Sequence, residues 1–183
     1  MKNAYFLTLF LISACVAVAE ETPPREYKDG AVMVSAKTEQ RISELLDAPD
    51  IQSSLNHIRA MESQLHDDLI ELTEIPAPPF GEEKRGLRFA EMLREAGLAD
   101  VTIDEVGNVI GRRPGRSGGR VVAYVAHLDT VFPIETDVTV RVEGDTYYAP
   151  GVGDNTRGLV VILGVLRALE HNNIKTDADI LFV

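Results

Sequence analysis

A histidine and two aspartates stand where their side chains could do chemistry. His127 and Asp129 close the apolar run VVAYVAHLDTVF, and Asp154 follows in the glycine-containing segment YAPGVGDNTRGL. Alternate residues of a β-strand point to the same side and lie roughly 7 Å apart along the chain, so His127 and Asp129 share a face. Imidazole and carboxylate groups are common ligands of zinc. The pattern therefore predicts a metal site at the end of a strand.

Asp129 has two candidate roles in such a site. A histidine that binds metal through one ring nitrogen commonly donates its other N–H to a carboxylate, which fixes the tautomer and raises the basicity of the ligand. Asp129 is spaced to be that carboxylate, or else to orient a neighbouring ligand, and either role makes it a catalytic residue. The alternative hypothesis is a surface histidine beside an unrelated turn carboxylate.

The segment around Asp154 favours the metal hypothesis. Gly151 and Gly153 allow the backbone to approach whatever Asp154 contacts, and an apolar helix predicted immediately afterwards fixes the turn. A carboxylate has two oxygens, so Asp154 could bridge two cations held about 3.5–4 Å apart. The structural alternative is that Asp154 or Asn155 caps the following helix. The two functions are compatible if Asn155 caps and Asp154 binds.

Composition limits the partners. The 183 residues include 29 acidic and 18 basic side chains, which gives a net charge of -11. Such a surface repels nucleic acid and has little attraction for anionic lipid, so no nucleic-acid partner is expected. Cys15 is the only cysteine of the sequence. An intramolecular disulfide and a zinc-thiolate site are therefore excluded, and any metal ion must use histidine, aspartate and glutamate.

The first residues predict export. Residues 1–19 combine an early lysine with an apolar run of roughly ten residues, which is too short to span a bilayer and is typical of a secretory signal. Two processing sites overlap, because AVA at 17–19 fits the small-x-small cleavage rule and ISAC at 12–15 resembles a lipobox, in which the signal ends at residue 14. The protein is thus predicted to be periplasmic, or lipid-anchored to a bacterial membrane through Cys15. Residues 20–36 are predicted to be a linker.

The rest of the chain predicts an α/β domain. Apolar periodicity and turn residues define its elements. These are helices at 50–73, with Asp50 as N-cap, at 82–97 and at 156–170; strands at VTIDEV, NVIGRR, VVAYVAHLD and ADILFV; and a hairpin that turns at residues 143–145. Helices alternating with apolar strands indicate a mixed sheet with helices on both faces. In such sheets ligands bind beyond the carboxyl ends of strands, where His127, Asp129 and Asp154 fall.

The two motifs together resemble a known family. AHLDTVF followed by APGVGDNTRGL is similar to the co-catalytic zinc peptidases and amidohydrolases of the peptidase T, carboxypeptidase G, aminoacylase and acetylornithine deacetylase superfamily. The preceding ELTEIPAPPFGEEKRG and VTIDEVGNVIGRRPG resemble the beginning of that family's catalytic domain, so the likeness spans about residues 60–183. It implies that residues 37–183 belong to a phosphorylase/hydrolase-like zinc exopeptidase domain.

The resemblance also implies a set of ligands. His127 would bind one zinc ion, Asp154 would bridge two zinc ions, and Asp129 would orient the site. Co²⁺ and Mn²⁺ are alternative cations. Relatives often have a second acidic residue where this chain has Asn155, a difference that alters the local charge and keeps the bridging carboxylate.

The family's general base and next zinc ligand are adjacent glutamates beyond the strand that ADILFV begins. They are expected after Val183, as are a distant histidine and a lid or dimerisation domain, so the sequence is interpreted as an N-terminal fragment that is inactive by itself and incomplete at the end of its catalytic domain. Glu82 and Glu83 are not expected to replace them, because both precede the metal motifs and begin a helix, where the helix dipole favours acidic residues.

The resemblance implies a metal-dependent hydrolase that cleaves an amide bond in a small peptide, of the di- or tripeptidase or carboxypeptidase type. A homodimer is one arrangement of the complete protein. A deacylase of N-acyl amino acids is the alternative within the superfamily. Two further alternatives are a non-catalytic binding remnant of the fold and a chain in which His127 and Asp154 are structural and bind no metal.

Overall fold

The computed structural model describes residues 27–28, 31–32 and 34–183. The predicted signal peptide, Cys15 and most of the predicted linker lie outside this part of the chain. Strand β1 (Tyr27–Lys28) pairs antiparallel with β2 (Ala31–Val32), and helix α1 spans Ala36–Leu46. Contacts between residues divide the chain into one unit that ends at Arg41 and a second from Ile42 to Val183. Within the described ranges, no helix combines the length and the apolar character that a membrane crossing requires.

The second unit alternates helices with short strands. In chain order its elements are α2 (Pro49–Ala60), α3 (Glu62–Thr73), α4 (Glu83–Glu95), β3 (Asp100–Ile103), β4 (Val109–Arg113), β5 (Val121–Tyr124), β6 (Arg141–Glu143), β7 (Thr146–Tyr148), a π-helical turn (Val152–Thr156), α5 (Arg157–His171) and β8 (Asp179–Phe182). The strands, the hairpin and the helix after Asp154 lie where the sequence predicts them, with one correction: β5 ends at Tyr124, so His127 and Asp129, which were predicted to lie in this strand, lie in the loop that follows it.

The central sheet has the strand order β3-β4-β8-β5. Strand β4 runs antiparallel to both of its neighbours, β3 and β8. Strand β5 runs parallel to β8, with Tyr124 opposite Phe182. The sheet is therefore mixed, as predicted. Strands β6 and β7 form a separate antiparallel hairpin in which Arg141 is opposite Tyr148.

The hydrophobic core lies between this sheet and helices α3, α4 and α5. Its fully or almost fully buried side chains include Leu69 and Leu72 of α3, Phe89 and Leu93 of α4, Leu159, Leu163 and Leu166 of α5, and Val109, Ile180 and Phe182 of the sheet. Burying a side chain of this size stabilises the fold by about 1.5–3 kcal/mol. The apolar face of α5 thus holds the helix that follows Asp154 against the sheet, as the sequence predicts.

The helices cover one face of the sheet. Val101, Val109 and Ile180 point toward them and are buried, whereas Thr102 and Val121 on the opposite face are exposed. All four residues of the edge strand β5 are exposed. The predicted α/β class and mixed sheet are confirmed, but the described residues place no helical layer on the second face.

The predicted helix of residues 50–73 is two helices. Helix α2 ends and α3 begins around Met61, whose backbone leaves the helical region at φ -93° and ψ 14° and whose side chain is buried. Asp50 is not the N-cap, because the helix begins one residue earlier at Pro49, which is well suited to the first helical position. The apolar period continues across the break, so the change of direction leaves no trace in the sequence.

Two histidines stack where α2 packs against α5. The imidazoles of His57 and His171 have their ring centroids 3.7 Å apart and their planes 3° apart. Burial, and then the charge of His171, lowers the pKa of His57. The unfolded chain therefore binds a proton at His57 more readily than the folded chain. The resulting contribution to stability is present above the unfolded pKa, about 6.5, and is lost as the pH falls below it.

We predict that, as the pH falls from about 7.5 to about 5, the free energy of unfolding of wild type decreases relative to that of His57→Gln, because only wild type loses the contribution of His57. Urea unfolding at a series of pH values measures both proteins. His66→Gln, which removes a histidine that is not stacked on His171, serves as the control for the loss of an imidazole. Equal pH dependence in wild type and His57→Gln would contradict the prediction.

Candidate metal centre

The predicted site lies at the carboxyl end of β5. Pairing with β8 continues past the strand, since the amide of Val183 donates to the carbonyl of Tyr124 and the amide of Ala126 donates to the carbonyl of Val183, each at 2.9 Å. These hydrogen bonds fix the backbone as far as residue 126. His127 is the next residue, at the edge of the sheet where ligands of α/β domains bind.

The imidazole of His127 contacts a carboxylate with each of its nitrogens. Nδ1 lies 3.0 Å from Oδ1 of Asp129 and 2.9 Å from the Asp129 carbonyl oxygen. Nε2 lies 2.9 Å from Oδ1 of Asp154, which is 27 residues further along the chain. The structure thus brings together the three side chains that the sequence singles out.

This arrangement places His127 in a negative environment. Partial burial is the largest single influence and lowers the pKa of His127, but hydrogen bonds to Asp154 and Asp129, with the charge of Asp129, together raise that pKa above its ordinary value. A neutral imidazole carries one N–H and can donate to only one carboxylate. The contact of the other ring nitrogen with a carboxylate is therefore favourable when a positive charge is added. This charge can be a second proton on the imidazole of His127 or a metal ion near Nε2.

Asp154 lies in the turn of residues Val152–Thr156 that precedes α5, and its own backbone is extended, at φ -124° and ψ 94°. Gly151 begins this turn in the left-handed conformation, at φ 77°, and the peptide bond between Asp154 and Asn155 is cis. The side chain of Asp154 is 93% exposed and reaches His127. No side-chain hydrogen bond caps the first turn of α5 in the described residues, so the predicted capping by Asp154 or Asn155 is not observed. Asn155 instead packs on Gly158, where a Cβ would lie 2.2 Å from its Oδ1.

Thr130 joins the loop of His127 to the turn of Asp154. Its amide donates to the carbonyl of Ala77 at 2.8 Å, and its side chain is buried. A Cβ at Gly151 would lie 2.5 Å from Cγ2 of Thr130. Glycine is therefore required at position 151 both by its backbone conformation and by the close packing of Thr130. Thr130 was not identified from the sequence, because nothing in its spacing distinguishes it from other threonines.

Arg85 of α4 lies beneath the same loop and was also missed. Its guanidinium is buried and donates to the carbonyl oxygens of Thr73, Ile75 and Leu128. Burial lowers the pKa of Arg85 to about 10, and the charge of nearby Asp129 opposes this change. One signal was available in the sequence, since Arg85 precedes Phe89 by four residues and so shares the buried face of its helix.

An open cavity of about 900 Å³ borders the site. His127, Asp129 and Asn155 line one side, and exposed apolar side chains, among them Phe80 and Val106, line another. Glu82 and Glu83 also border the cavity. Oε1 of Glu82 accepts the amide of Phe80 at 2.8 Å and α4 begins at Glu83, in agreement with the prediction that this pair begins a helix.

His127 and Asp154 suit zinc as a pair of ligands. An imidazole nitrogen and carboxylate oxygens are ligands that zinc takes in enzymes, where three protein groups usually bind each ion. In the part of the chain that the structure describes, no group of three or more histidine, cysteine, aspartate or glutamate side chains is arranged to hold a metal ion. The two residues therefore fit a zinc centre as members of a larger set of ligands.

Residues 108–183, which contain both motifs, match peptidase family M28. A protein described as a LysW-lysine/LysW-ornithine hydrolase, from Pyrococcus abyssi, is 35% identical over 114 residues, which cover 62% of this chain and 30% of the relative. Carboxypeptidase G2 from a Pseudomonas species is 37% identical over 70 residues, which cover 37% of this chain and 17% of the relative. The chain thus spans less than a third of the length of either relative.

Solved structures share the fold. The dipeptidase Dug1p from Saccharomyces cerevisiae superimposes with a TM-score of 0.59 at 14% identity, over 72% of this chain and 33% of that protein. The YXEP protein of Bacillus subtilis, a dinuclear metal binding peptidase from the M20 family, gives a TM-score of 0.53 at 21% identity, over 68% of this chain and 35% of that protein. At these identities the similarity establishes the fold alone.

The family match, the two relatives and the common fold agree on one class. Residues 108–183 resemble a peptidase family, and both relatives are described as hydrolases, as expected for the superfamily of zinc peptidases and amidohydrolases that the motifs resemble. The resemblance drawn from the two motifs is therefore confirmed.

Replacing Gly151 by alanine tests how the two loops of the site are packed. Alanine in the left-handed conformation costs roughly 1–2 kcal/mol, and overpacking against Thr130 adds about 1–3 kcal/mol. We expect Gly151→Ala to lower the free energy of unfolding by about 2–5 kcal/mol. Adding Thr130→Ser removes Cγ2 and should recover most of the steric part. Denaturant unfolding of the two single variants and the double variant measures the coupling.

Gly144→Ala is the matched control for this cycle. Gly144 also has a positive φ, 59°, but a Cβ there would meet nothing within 4 Å. It should show the conformational cost alone and no coupling to Thr130→Ser. Additive effects of Gly151→Ala and Thr130→Ser would contradict the described packing.

Proposed function

We propose that the whole protein is a metal-dependent hydrolase of amide bonds in small peptides, and that His127 and Asp154 supply part of a two-zinc centre. The observation that supports this most directly is the contact of one imidazole with two carboxylates, Asp129 through Nδ1 and Asp154 through Nε2. The class of the chain supports it as well, since relatives and neighbours of known name include a carboxypeptidase and a dinuclear metal binding peptidase.

His127 and Asp154 are proposed as zinc ligands. Nε2 of His127 and Oδ1 of Asp154 converge to 2.9 Å, so a cation near either atom would also be near the other. Asp154 is almost fully exposed on its turn, and its two oxygens could each bind one ion. Bound zinc would lower the pKa of a water molecule and polarise the carbonyl of the substrate, and Co²⁺ or Mn²⁺ could supply the same chemistry.

Asp129 is proposed as the residue that orients His127. Its carboxylate and its carbonyl oxygen both accept from Nδ1, which keeps the proton on Nδ1 and leaves the lone pair of Nε2 directed at Asp154. Partners of this kind raise the basicity of a ligating histidine, and their loss typically costs about 10- to 100-fold in metal affinity or activity. Asp129 therefore holds a proton at a defined atom through the reaction.

Small peptides are the proposed substrates. The cavity beside His127 combines exposed apolar side chains, such as Phe80, with acidic groups such as Glu83, and binding pockets commonly combine an apolar wall with a few polar groups. A deacylase of N-acyl amino acids is retained as the second candidate, because one relative is described as a hydrolase of LysW-linked lysine and ornithine.

We propose further that the protein is exported and is either periplasmic or lipid-anchored at Cys15, as the first residues of the sequence predict. A homodimer also stays a prediction.

Zinc binding tests the proposed ligands. The natural full-length protein, stripped of metal with a chelator, is expected to take up two zinc ions per chain in isothermal titration. His127→Ala and Asp154→Ala should each weaken binding by about tenfold or more, because each removes a ligand. His171→Ala removes an exposed histidine outside the site and should bind zinc as wild type does. Zinc binding that is unchanged by His127→Ala would contradict the proposal.

Hydrolysis tests the reaction and the role of Asp129. Dipeptides and N-acetyl amino acids are offered to the zinc-loaded full-length protein, and we expect turnover of dipeptides that a chelator abolishes and zinc restores. Asp129→Asn keeps the shape of the side chain but is expected to lower kcat about 10- to 100-fold. Turnover that survives removal of all metal would refute the proposed chemistry. Preference for N-acetyl amino acids would favour the deacylase instead.

A further inference from the structure

Arg85 is a charged side chain in the interior of the second unit. It is 1% exposed and lies on the buried face of α4 with Phe89 and Met92. A buried cation is costly unless its donors are satisfied. The hydrogen-bond partners of Arg85 therefore indicate its structural role.

The guanidinium of Arg85 donates to backbone carbonyls from two separate loops. In the loop between α3 and α4, Nε and Nη2 donate to Ile75 at 3.1 and 2.6 Å, and Nη2 also reaches Thr73 at 3.3 Å. In the loop after β5, Nη1 donates to the carbonyl of Leu128 at 2.8 Å. The planar fork of an arginine can satisfy several fixed acceptors at once, whereas the point charge of a lysine cannot.

Leu128 lies between His127 and Asp129. Its carbonyl is part of the peptide unit that joins Leu128 to Asp129, so the hydrogen bond from Arg85 fixes the backbone immediately after His127 and before Asp129. The same short loop is held at a second point, where the amide of Thr130 donates to Ala77 at 2.8 Å. Residues 128–130 are thus hydrogen-bonded to residues 73–77 both through Arg85 and directly.

We propose that Arg85 is a positioning residue that holds the backbone between His127 and Asp129 and so directs both side chains to the metal centre. This inference rests on the proposed function only where metal binding is concerned. The orientation of the loop can be measured in the metal-free chain.

Amide hydrogen exchange of the full chain provides that measurement. Exchange at Thr130 reports whether the loop stays docked on residue 77, and exchange at Leu163 of α5 reports global opening. We expect Arg85→Lys to reduce protection at Thr130 by about tenfold or more beyond any reduction at Leu163, which is the factor expected for losing a hydrogen bond to a charged group. Arg85→Gln, which buries no charge, is measured alongside and should behave in the same way.

Arg113 provides a matched control. It too is a buried arginine, with Nε donating to Glu170 at 2.6 Å and Nη2 donating to the Ile174 carbonyl at 2.5 Å, but it contacts no residue of the His127 loop in the described structure. Arg113→Lys and Arg113→Gln should change protection at Thr130 and Leu163 by equal factors. Equal factors in the Arg85 variants as well would overturn the proposal, since Arg85 would then contribute only general stability.

Zinc affinity of the full-length protein separates this inference from the proposed function. Arg85→Lys is expected to weaken zinc binding about 10- to 100-fold, and Arg113→Lys is expected to leave it unchanged. Wild-type protein that binds no zinc would refute the metal centre, while the exchange data would still decide whether Arg85 positions the loop. Zinc affinity that is equal in wild type and Arg85→Lys would overturn the positioning of the metal centre by Arg85.

Discussion

The imidazole of His127 faces a carboxylate at both of its ring nitrogens. A neutral imidazole can donate to one of them and presents a lone pair to the other, so the arrangement is stable only with an additional positive charge, and it raises the pKa of His127. A proton on His127 would supply such a charge when no metal ion is bound. In the zinc centre that we propose, a divalent cation at Nε2 satisfies this requirement more fully, while Asp129 keeps the proton on Nδ1.

The surrounding fold keeps these three side chains together. Parallel pairing of β5 with β8 brings the backbone to Ala126, and the buried apolar face of α5 fixes the turn that carries Asp154. Hydrogen bonds from Arg85 and Thr130 then dock the His127 loop on residues 73–77. The site therefore depends on core packing for its two halves and on buried polar contacts for the alignment between them.

The sequence predicted the parts of this account that depend on local patterns. Alternation and turn residues located the strands, and the His-x-Asp spacing with the glycine turn singled out three side chains that the structure brings into contact. The break at Met61 was missed because the apolar period continues through it. The contacts of Arg85 and Thr130 were missed because both residues bind backbone carbonyls distant in the sequence, and any residue type can present a carbonyl. Which face of the sheet the described helices cover likewise depends on tertiary arrangement.

A crystal structure of the zinc-loaded full-length protein, with anomalous data recorded at the zinc edge, would show directly which side chains bind zinc. We predict two zinc peaks, one of them about 2.0–2.1 Å from Nε2 of His127, with the carboxylate of Asp154 between the two ions and Asp129 still accepting from Nδ1. Zinc peaks away from His127, or an Asp154 side chain that contacts neither ion, would contradict this prediction.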